Sequence, residues 1–363
     1  MRKRFSEMLI TIYYLLMRLP PPTTYSKSAI NKAGRLLVDE SINIAAKPGA
    51  RQIVNSWRAS HAYPINTFQA TLRKRVAGLP GATVAQRLKR FPTILDKLLR
   101  QPNMSLARMQ DIGGVRVILD TIADVREVEM KYKLPSKIMH ELVNEHDYIT
   151  NPKADGYRGI HLVYRYKSID QPGYNGLHVE IQIRTKLQHF WATAVETIGT
   201  FTNTELKSGK GSGPWLDFFV KASAAFAIFE PGTQTDLAIR KEVLESVSNA
   251  LDRVGGLSVL QGFQVTTEAL KRHLSTTADG SNYHILILRP SVQTLNIHSY
   301  SDGGIATQAY SEFESETRDS TSLVVLVRAQ TRQELERAYP NFFLDIKEFQ
   351  SLMTRIIREV ESY

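Results

Sequence analysis

The chain has 363 residues, a length that allows two domains with separate hydrophobic cores. Hydrophobic residues make up 42% of it and charged residues 23%, and no apolar run reaches the roughly 18 residues of a membrane-spanning helix, so we expect a soluble cytoplasmic protein with no membrane partner. There are no cysteines, which excludes disulfides and thiolate metal sites.

The net charge of +10 is concentrated in one segment. Residues 51–110 contain eleven Lys or Arg and one acid, Asp96, so this basic window accounts for the excess of the whole chain. A solvated helix face ordinarily mixes both signs. One-sided charge instead favours a polyanionic partner, either nucleotide phosphates or a nucleic-acid backbone.

The N-terminus imitates a secretory leader. Basic residues 2–4 precede an apolar stretch over 8–17, but Pro20, Pro21 and Pro22 follow where a leader would have small residues for cleavage. We therefore predict that residues 1–25 form a poorly ordered extension.

Helices and strands alternate in the rest of the chain. Helical spacing predicts helices over 26–39, 54–76 with an interruption or start at Pro64, 84–99 with a break near Pro92, 123–130, 187–200 and 222–247 with a break at 230–232. Strand patterns cover 115–120, 159–166, 177–185, 284–288, 294–298 and 323–327, and a last helix covers 345–361. We predict an α+β domain over 26–255 and a smaller α+β domain over 256–363.

The predicted strand at 179–185 has a chemically unusual face. With a period of two, Glu180, Gln182 and Arg184 project from one face and the apolar residues from the other. Buried Glu and Arg side chains require partners, so this face is interpreted as the wall of a site for a charged ligand or a metal ion. A solvated face of an edge strand is the alternative, and the strand alone does not decide between them.

Two more segments carry polar residues that suit ligand binding. Asp111 precedes Gly113 and Gly114, whose lack of side chains allows a ligand to approach the backbone; Asp111 is a candidate metal ligand, and a turn cap is the alternative. The turn-rich segment 148–161 also carries basic and aromatic residues, which loops use for ligands more readily than for packing. These residues and the cations of the basic window are Lys153, Tyr157, His161, Arg87, Lys89 and Lys97.

In order along the chain, these residues resemble the pyrophosphokinase domain of the RelA/SpoT superfamily, which makes (p)ppGpp. The matched motifs are Arg87 and Lys89 (R-x-K); Lys97; Asp111, Gly114 and Arg116 (D-x-x-G-x-R); Pro152, Lys153, Gly156, Tyr157 and His161; and Glu180, Gln182 and Arg184 (E-x-Q-I-R-T). The resemblance implies a mixed sheet flanked by helices, related to nucleotidyltransferases. It also implies transfer of the β,γ-pyrophosphate of ATP to a ribose 3′-hydroxyl, with release of AMP.

The resemblance also implies roles for the matched residues. Arg87 and Arg116 would flank the ATP adenine, and Lys89, Lys97 and Lys153 would hold its phosphates. Asp111 and Glu180 would be the catalytic carboxylates and the Mg²⁺ ligands, and Glu180 would take the proton of the attacking hydroxyl. Tyr157 would stack on the acceptor base, with His161, Gln182 and Arg184 positioning phosphates or the carboxylates. Asp155 departs from the Asn that alarmone synthetases commonly carry, a difference that bears on a guanine-nucleotide acceptor.

Segments 57–64, 108–114 and 191–201 are similar to the CapRel group, toxic small synthetases fused to their antitoxin. That resemblance implies pyrophosphorylation of the tRNA 3′-CCA end, which blocks translation, and a zinc-finger-like antitoxin half that lacks a metal. It further implies release by a phage structural protein such as the major capsid protein. Tyr339 and Phe342 correspond to the Y-x-x-Y element that blocks the adenine site in that group; the alternative is that both rings pack the start of a helix.

Two other functions fit the same motifs: a synthetase that uses GDP or GTP to make (p)ppGpp, and a non-catalytic RNA-binding module. The motifs do not separate the acceptors, but the basic window favours tRNA, which presents many more phosphates than GDP. The intact Asp111, Tyr157 and Glu180 argue against the non-catalytic alternative.

Overall fold

The computed structural model describes residues 20–39, 41, 47–134, 139–201, 213–257, 260, 283–289, 294–316, 323–328 and 346–363. The chain divides into two compact units, one of residues 1–147 and 160–184 and the other of residues 148–159 and 185–363. No helix among the described residues is both long enough and apolar enough to cross a membrane.

The first unit combines helices with a five-stranded sheet. Its helices are α1 (Lys27–Val38), α2 (Pro48–Ala59), α3 (Ala62–Arg75), α4 (Phe91–Arg100) and α5 (Ile122–Lys133), and its strands are β1 (Thr83–Leu88), β2 (Gly113–Leu119), β3 (Glu141–Asp147), β4 (Ile160–Arg165) and β5 (His178–Thr185). The order across the sheet is β1-β2-β5-β4-β3. The predicted α+β class, with a mixed sheet flanked by helices, is confirmed.

β5 occupies the centre of the sheet, which excludes the alternative of an edge strand. The strand lies between β2 and β4, so it is not an edge strand. Its apolar face is completely buried: Val179, Ile181 and Ile183 are each 0% exposed. The alternation predicted from the sequence is therefore that of an inner strand whose second face is polar.

The prediction of a basic helix from residue 84 was wrong. Residues 83–88 form β1, which pairs antiparallel with β2 along its whole length, from Thr83 opposite Ile118 to Leu88 opposite Gly113. Ala, Gln, Arg and Leu favour a helix locally, but cross-strand pairing overrides that preference. The helix starts later, at Phe91, with Pro92 in its first turn, where a missing N–H has no cost.

Two other regions refine the predicted pattern. Residues 54–76 contain parts of two helices, α2 and α3, and Pro64 lies in the first turn of α3, as one of the two predicted possibilities requires. Strand β3 was not predicted, because its sequence Glu-Leu-Val-Asn-Glu-His-Asp has too few apolar residues to show an alternation.

The second unit is built around a helical cluster. Its helices are α6 (Lys186–Phe201), α7 (Pro214–Ile228), α8 (Leu237–Asp252) and, at the end of the chain, α10 (Lys347–Glu361). Phe349 of α10 packs against Phe218, Phe219 and Phe226 of α7, and Glu359 accepts two hydrogen bonds from Arg240 of α8, at 2.5 and 2.9 Å. The terminal helix therefore belongs to the core that α6, α7 and α8 form.

Residues 283–328 contain a small sheet of three antiparallel strands. These are β6 (Tyr283–Arg289), β7 (Thr294–Tyr300) and β8 (Leu323–Arg328), in the order β7-β6-β8, and helix α9 (Gly303–Glu316) packs on them through Tyr310 and Phe313. Leu260 and Ile346, which flank this region in the sequence, are both buried in the helical cluster. The small sheet and α9 are thus inserted, in the order of the sequence, between two parts of one core. The three strands agree with the prediction; α9 was not predicted.

Some predictions fall on residues 1–19 or 329–345, which lie outside the described residues. They are most of the N-terminal extension and both autoinhibitory residues, Tyr339 and Phe342. These, and the domain boundary at residues 255 and 256, stay predictions.

Candidate active site

The first unit gathers six of the predicted site residues on one face of the sheet. Residues directly opposite each other in an antiparallel pair share a face: Arg87 lies opposite Gly114, Arg116 opposite Ala85, and His161 opposite Gln182. A Cβ built on Gly114 would lie 3.9 Å from Cβ of Glu180, which joins the two halves of this face. The shared face carries Arg87, Arg116, His161, Glu180, Gln182 and Arg184.

The three polar residues of β5 form one hydrogen-bonded chain. Arg184 donates to Oε1 of Gln182 at 2.7 Å, and Gln182 Nε2 donates to Oε2 of Glu180 at 2.7 Å. The other carboxylate oxygen, Oε1, lies 2.9 Å from Nδ1 of His161. Burial opposes the ionisation of Glu180, but His161 and the hydrogen bonds from His161 and Gln182 outweigh it, with a further contribution from the charge of Arg87. The pKa of Glu180 is therefore held well below its ordinary value.

Asp111 lies between two lysines. Lys89 Nζ is 2.9 Å from its Oδ2 and Lys97 Nζ is 2.9 Å from its Oδ1, so each carboxylate oxygen has one ammonium partner. Burial opposes the ionisation of Asp111, but the two cations outweigh burial and hold its pKa below the ordinary value. Burial lowers the pKa of Lys89 in turn, against the attraction of Asp111. Three residues predicted as separate ligand contacts are thus one ionic cluster.

Gly114 is required where β2 meets β5. A Cβ at this position would lie 3.1 Å from the backbone oxygen of Glu180, closer than nine in ten real Cβ contacts. Because glycine has no side chain, the backbone that follows Asp111 packs directly against the strand that carries Glu180. Asp111 therefore lies just before β2, and Glu180 lies on β5, the neighbouring strand of the sheet.

The two carboxylates suit a magnesium ion by their chemistry. Mg²⁺ prefers oxygen ligands and is usually held by one or two carboxylates together with substrate phosphates and water. Asp111 and Glu180 both favour the ionised form. Within the described part of the chain, no group of three or more His, Asp or Glu is arranged as a complete metal site. A magnesium ion held here would take its remaining ligands from a nucleotide and from water.

Lys153 and Tyr157 belong to the second unit, on the loop 148–159 that joins β3 to β4. The ammonium of Lys153 lies over the rings of Tyr148 and Tyr157, 4.4 and 4.9 Å from their centroids. Such contacts hold a cation against the faces of two aromatic rings. Asp155 Oδ1 accepts a hydrogen bond from the backbone N of Tyr157 at 2.9 Å. The loop therefore brings the predicted lysine and tyrosine side by side.

Sequence reasoning missed a buried polar group behind this loop. Arg158 Nε donates to Ser223 Oγ at 3.2 Å, Ser223 Oγ donates to the backbone oxygen of Gly156 at 2.5 Å, and Thr185 Oγ1 donates to Glu230 Oε1 at 2.5 Å. Burial raises the pKa of Glu230 to about 7, although Thr185 and Arg158 favour its charged form. Arg158 stands inside the Tyr157 motif. Nothing in the sequence links it to Ser223 and Glu230, which follow 65 and 72 positions later.

The segment that carries the candidate site residues from Arg87 to Arg184 is similar to known proteins. Residues 86–203 match the family described as "Region found in RelA / SpoT proteins". The GTP pyrophosphokinases YjbM and YwaC of Bacillus subtilis are 38% and 33% identical to the chain over 112 residues, which are 30% of this chain and 52% of each relative. The chain thus spans about half the length of these curated relatives.

A solved structure is also similar. The small alarmone synthetase 1 of Bacillus subtilis bound to its product pppGpp is 24% identical, with a TM-score of 0.41, over 51% of this chain and 93% of that one. The family match to residues 86–203 agrees with the predicted RelA/SpoT resemblance over that segment. The finer similarity to the CapRel group stays a prediction.

Proposed function

We propose that the chain is an ATP-dependent pyrophosphokinase that transfers the β,γ-pyrophosphate of ATP to the ribose 3′-hydroxyl of the tRNA 3′-CCA end. The main support for this proposal is the shared polar face of the sheet. Glu180 and the side chains hydrogen-bonded in a chain with it lie on β5, next to β2, the strand that follows Asp111. Phosphoryl transfer needs alignment and charge neutralisation more than covalent catalysis, and a face of cations around two carboxylates suits that need.

The register supports an adenine site between Arg87 and Arg116. Arg116 lies opposite Ala85 and Arg87 opposite Gly114, so the two arginines are diagonal neighbours on one face. Diagonal neighbours in a sheet are about 7–8 Å apart. A planar ring stacked between two guanidinium planes needs about 7 Å, twice a van der Waals contact.

The lysines suit a role at the phosphates. Lys89 and Lys97 both contact Asp111 in this structure, and Lys89 is 7% exposed. We propose that bound ATP draws the two ammonium groups onto its phosphates and leaves Asp111 to bind Mg²⁺ together with Glu180. When bound, Mg²⁺ would neutralise phosphate charge and polarise the transferred group. Lys153 would add a third cation from the loop 148–159.

Glu180 would orient the attacking hydroxyl. Its low pKa keeps the carboxylate ionised near neutral pH, where it accepts a hydrogen bond well but removes a proton from a free hydroxyl weakly. We propose that it takes the proton as the new oxygen–phosphorus bond forms and the bond to the α-phosphate oxygen breaks, so that AMP leaves with that oxygen. Tyr157 would stack on the acceptor base, and His161, Gln182 and Arg184 would fix the position of Glu180.

The acceptor is tRNA in this proposal because residues 51–110 carry an excess of ten positive charges. A guanine nucleotide is the second candidate. Asp155 uses its side chain to accept from the backbone N of Tyr157, a turn that Asn makes equally well. An Asp in place of the usual Asn is therefore compatible with a guanine acceptor. The names of YjbM and YwaC, both GTP pyrophosphokinases, give a guanine nucleotide as the substrate of those proteins.

The two acceptors can be compared in one reaction. The full chain and its Phe342→Ala variant, in which the proposed block of the adenine site is removed, would be incubated with γ-labelled ATP and equimolar tRNA and GDP. We expect label at the tRNA 3′ end, and more of it with the variant. Label in the guanine nucleotide alone would reject the tRNA acceptor, and a lack of transfer by both proteins would favour the non-catalytic RNA-binding module.

The remaining finer proposals concern regulation. We propose that the region after residue 255 acts as an antitoxin, that Tyr339 and Phe342 block the adenine site at rest, and that a phage structural protein such as the major capsid protein releases the block. The similarity of segments 57–64, 108–114 and 191–201 to the CapRel group supports these proposals.

A further inference from the structure

We propose that Ser223, Arg158 and Glu230 are positioning residues for the acceptor: they hold the loop 148–159 in the shape that presents Tyr157. This inference rests on the proposed function, because it gives the Tyr157 loop its role in acceptor binding. Ser223 and Glu230 lie outside the matched motifs, and Arg158, which belongs to the loop, is not one of the matched residues. Ser223 is hydrogen-bonded to Gly156 and Arg158, and Glu230 lines the same cavity as Arg158.

The loop lies directly against helix α7 at Gly156. This glycine has φ +90°, and a Cβ there would lie 3.1 Å from Trp191 Cζ2, 3.1 Å from Val220 Cα and 3.2 Å from Ser223 Cβ. A backbone that approaches a helix this closely has its carbonyl removed from water. Ser223 supplies the missing hydrogen bond, since its Oγ donates to the Gly156 oxygen at 2.5 Å. Ser223 thus fixes the residue before Tyr157.

Arg158 fixes the other side of Tyr157. Its Nε donates to Ser223 Oγ at 3.2 Å and its Nη1 donates to the backbone oxygen of Ile149 at 3.3 Å. One guanidinium therefore joins the first and last parts of the loop and ties both to α7. A planar side chain with several fixed donors is suited to bracing a loop in this way.

Glu230 supplies the negative charge of the group. It is 6% exposed, it shares a small cavity of about 10 Å³ with Arg158 and Ser223, and Thr185 donates to its Oε1. Thr185 follows Arg184 at the end of β5 and exchanges two hydrogen bonds with Gln188, the reciprocal pattern of a capping box. Within the described residues, Glu230 Oε2 has no hydrogen-bond partner, so its charge is balanced only by the nearby Arg158.

This arrangement gives the loop a dependence on pH. With a pKa of about 7, Glu230 is mostly neutral at pH 6 and mostly ionised at pH 8. The ionised form attracts Arg158 and strengthens the brace, although burial of this charge lowers the stability of the fold as a whole. The other side chains around the cavity, from α6 and α7, are Leu187, Gln188, Trp191, Ser223, Phe226 and Ala227, none of which titrates in this range.

The first test measures the loop without using catalysis. Hydrogen exchange of the full chain would be followed by mass spectrometry for Ser223→Ala and for the matched control Lys221→Ala, which loses only an ion pair with Asp217 on the same helix. We expect at least threefold faster exchange of peptides covering residues 148–159 in Ser223→Ala alone. Peptides from α8 provide the internal reference and should be unchanged. Equal exchange of the loop in both variants would overturn the proposal.

The second test uses steady-state kinetics in the Phe342→Ala background. We expect Ser223→Ala and Glu230→Gln to raise the acceptor KM about tenfold at pH 8, with the KM for ATP within twofold of the parent. In the parent the acceptor KM should fall from pH 6 to pH 8, and in Glu230→Gln it should stay high at both. A fall in kcat with unchanged acceptor KM would reduce these residues to a structural role and reject the inference. Faster loop exchange in a protein that transfers no pyrophosphate would reject the proposed function instead.

Discussion

His161 Nδ1 lies 2.9 Å from Oε1 of Glu180, on the strand adjacent to it in the sheet. Because Gln182 occupies the other carboxylate oxygen, the Glu180 side chain is held from two sides before any ligand binds. A carboxylate fixed in this way needs little reorganisation when charge develops near it, which is how a preorganised site lowers a barrier.

Glu180→Gln should remove this charge while it preserves the shape of the strand. We expect pyrophosphate transfer to fall by on the order of 10² to 10³ or more, with the fold intact by circular dichroism. The matched control is Glu141→Gln, a surface carboxylate of the same sheet that pairs with Arg165 and Lys167. A Glu180 variant as active as this control would remove Glu180 from the mechanism.

Gly156→Ala and Gly176→Ala form a second matched pair. Both glycines have positive φ, at 90° and 87°, so each substitution incurs about 1–2 kcal/mol of backbone strain. Among the described residues, the Cβ added at Gly176 would have no neighbour within 4 Å, whereas the one added at Gly156 would have three, two of them at 3.1 Å. Thermal unfolding should therefore show a larger loss for Gly156→Ala. Equal losses would mean that the loop does not pack closely on α7.

Glu230→Gln should change the pH dependence of stability. The native pKa of about 7 is above the ordinary 4.5, so the native state binds more protons than the unfolded state between these values. The contribution of Glu230 to the free energy of unfolding is therefore fully present below its pKa in the unfolded state, and it is lost as the pH rises through about 7. We expect the variant to gain about 2 kcal/mol relative to the parent between pH 5 and pH 8. A stability difference between variant and parent that does not change with pH would contradict the assignment.

The terminal helix affects how the C-terminal region should be removed. Truncation near residue 265 also removes α10, whose Phe349 and Met353 are 1% and 0% exposed in the helical core. We expect Phe349→Ala to cost about 3–5 kcal/mol in chemical unfolding, and the neighbouring Glu348→Ala close to none.

A flexible linker in place of residues 262–345 preserves both sides of that core. We expect this deletion to release toxicity in growing cells while the protein stays folded, whereas truncation near 265 should yield less soluble protein. A folded deletion variant without toxicity, unlike Phe342→Ala, would argue against autoinhibition by the inserted region.

Much of the fold could be predicted because its signals are local. The alternation of β5, the break at 230–232 and the apolar strands after residue 283 depend on periodicity and turn residues within a few positions. Strands β1 and β3 were missed because their pairing partners, rather than their own composition, determine their conformation.

The site residues also divide into those with a local sequence signal and those that depend on distant partners. Asp111, Glu180 and their neighbours belong to contiguous motifs, so ordered sequence matches find them. The contacts of Lys89 and Lys97 with a single carboxylate, the hydrogen bond of Ser223 to Gly156, 67 positions earlier, and the cavity that Glu230 shares with Arg158 arise only from the folded chain. Sequence patterns do not report such pairings, because the partners share no spacing.

The products formed from ATP test the central proposal most directly. The Phe342→Ala variant would be incubated with ATP, Mg²⁺ and tRNA, and the nucleotides would be separated and quantified alongside the same protein carrying Glu180→Gln. We predict one AMP for each pyrophosphate group added to a tRNA 3′ end, and neither product with the Glu180 variant. Formation of ADP, or of AMP with free pyrophosphate and unmodified tRNA, would contradict the account.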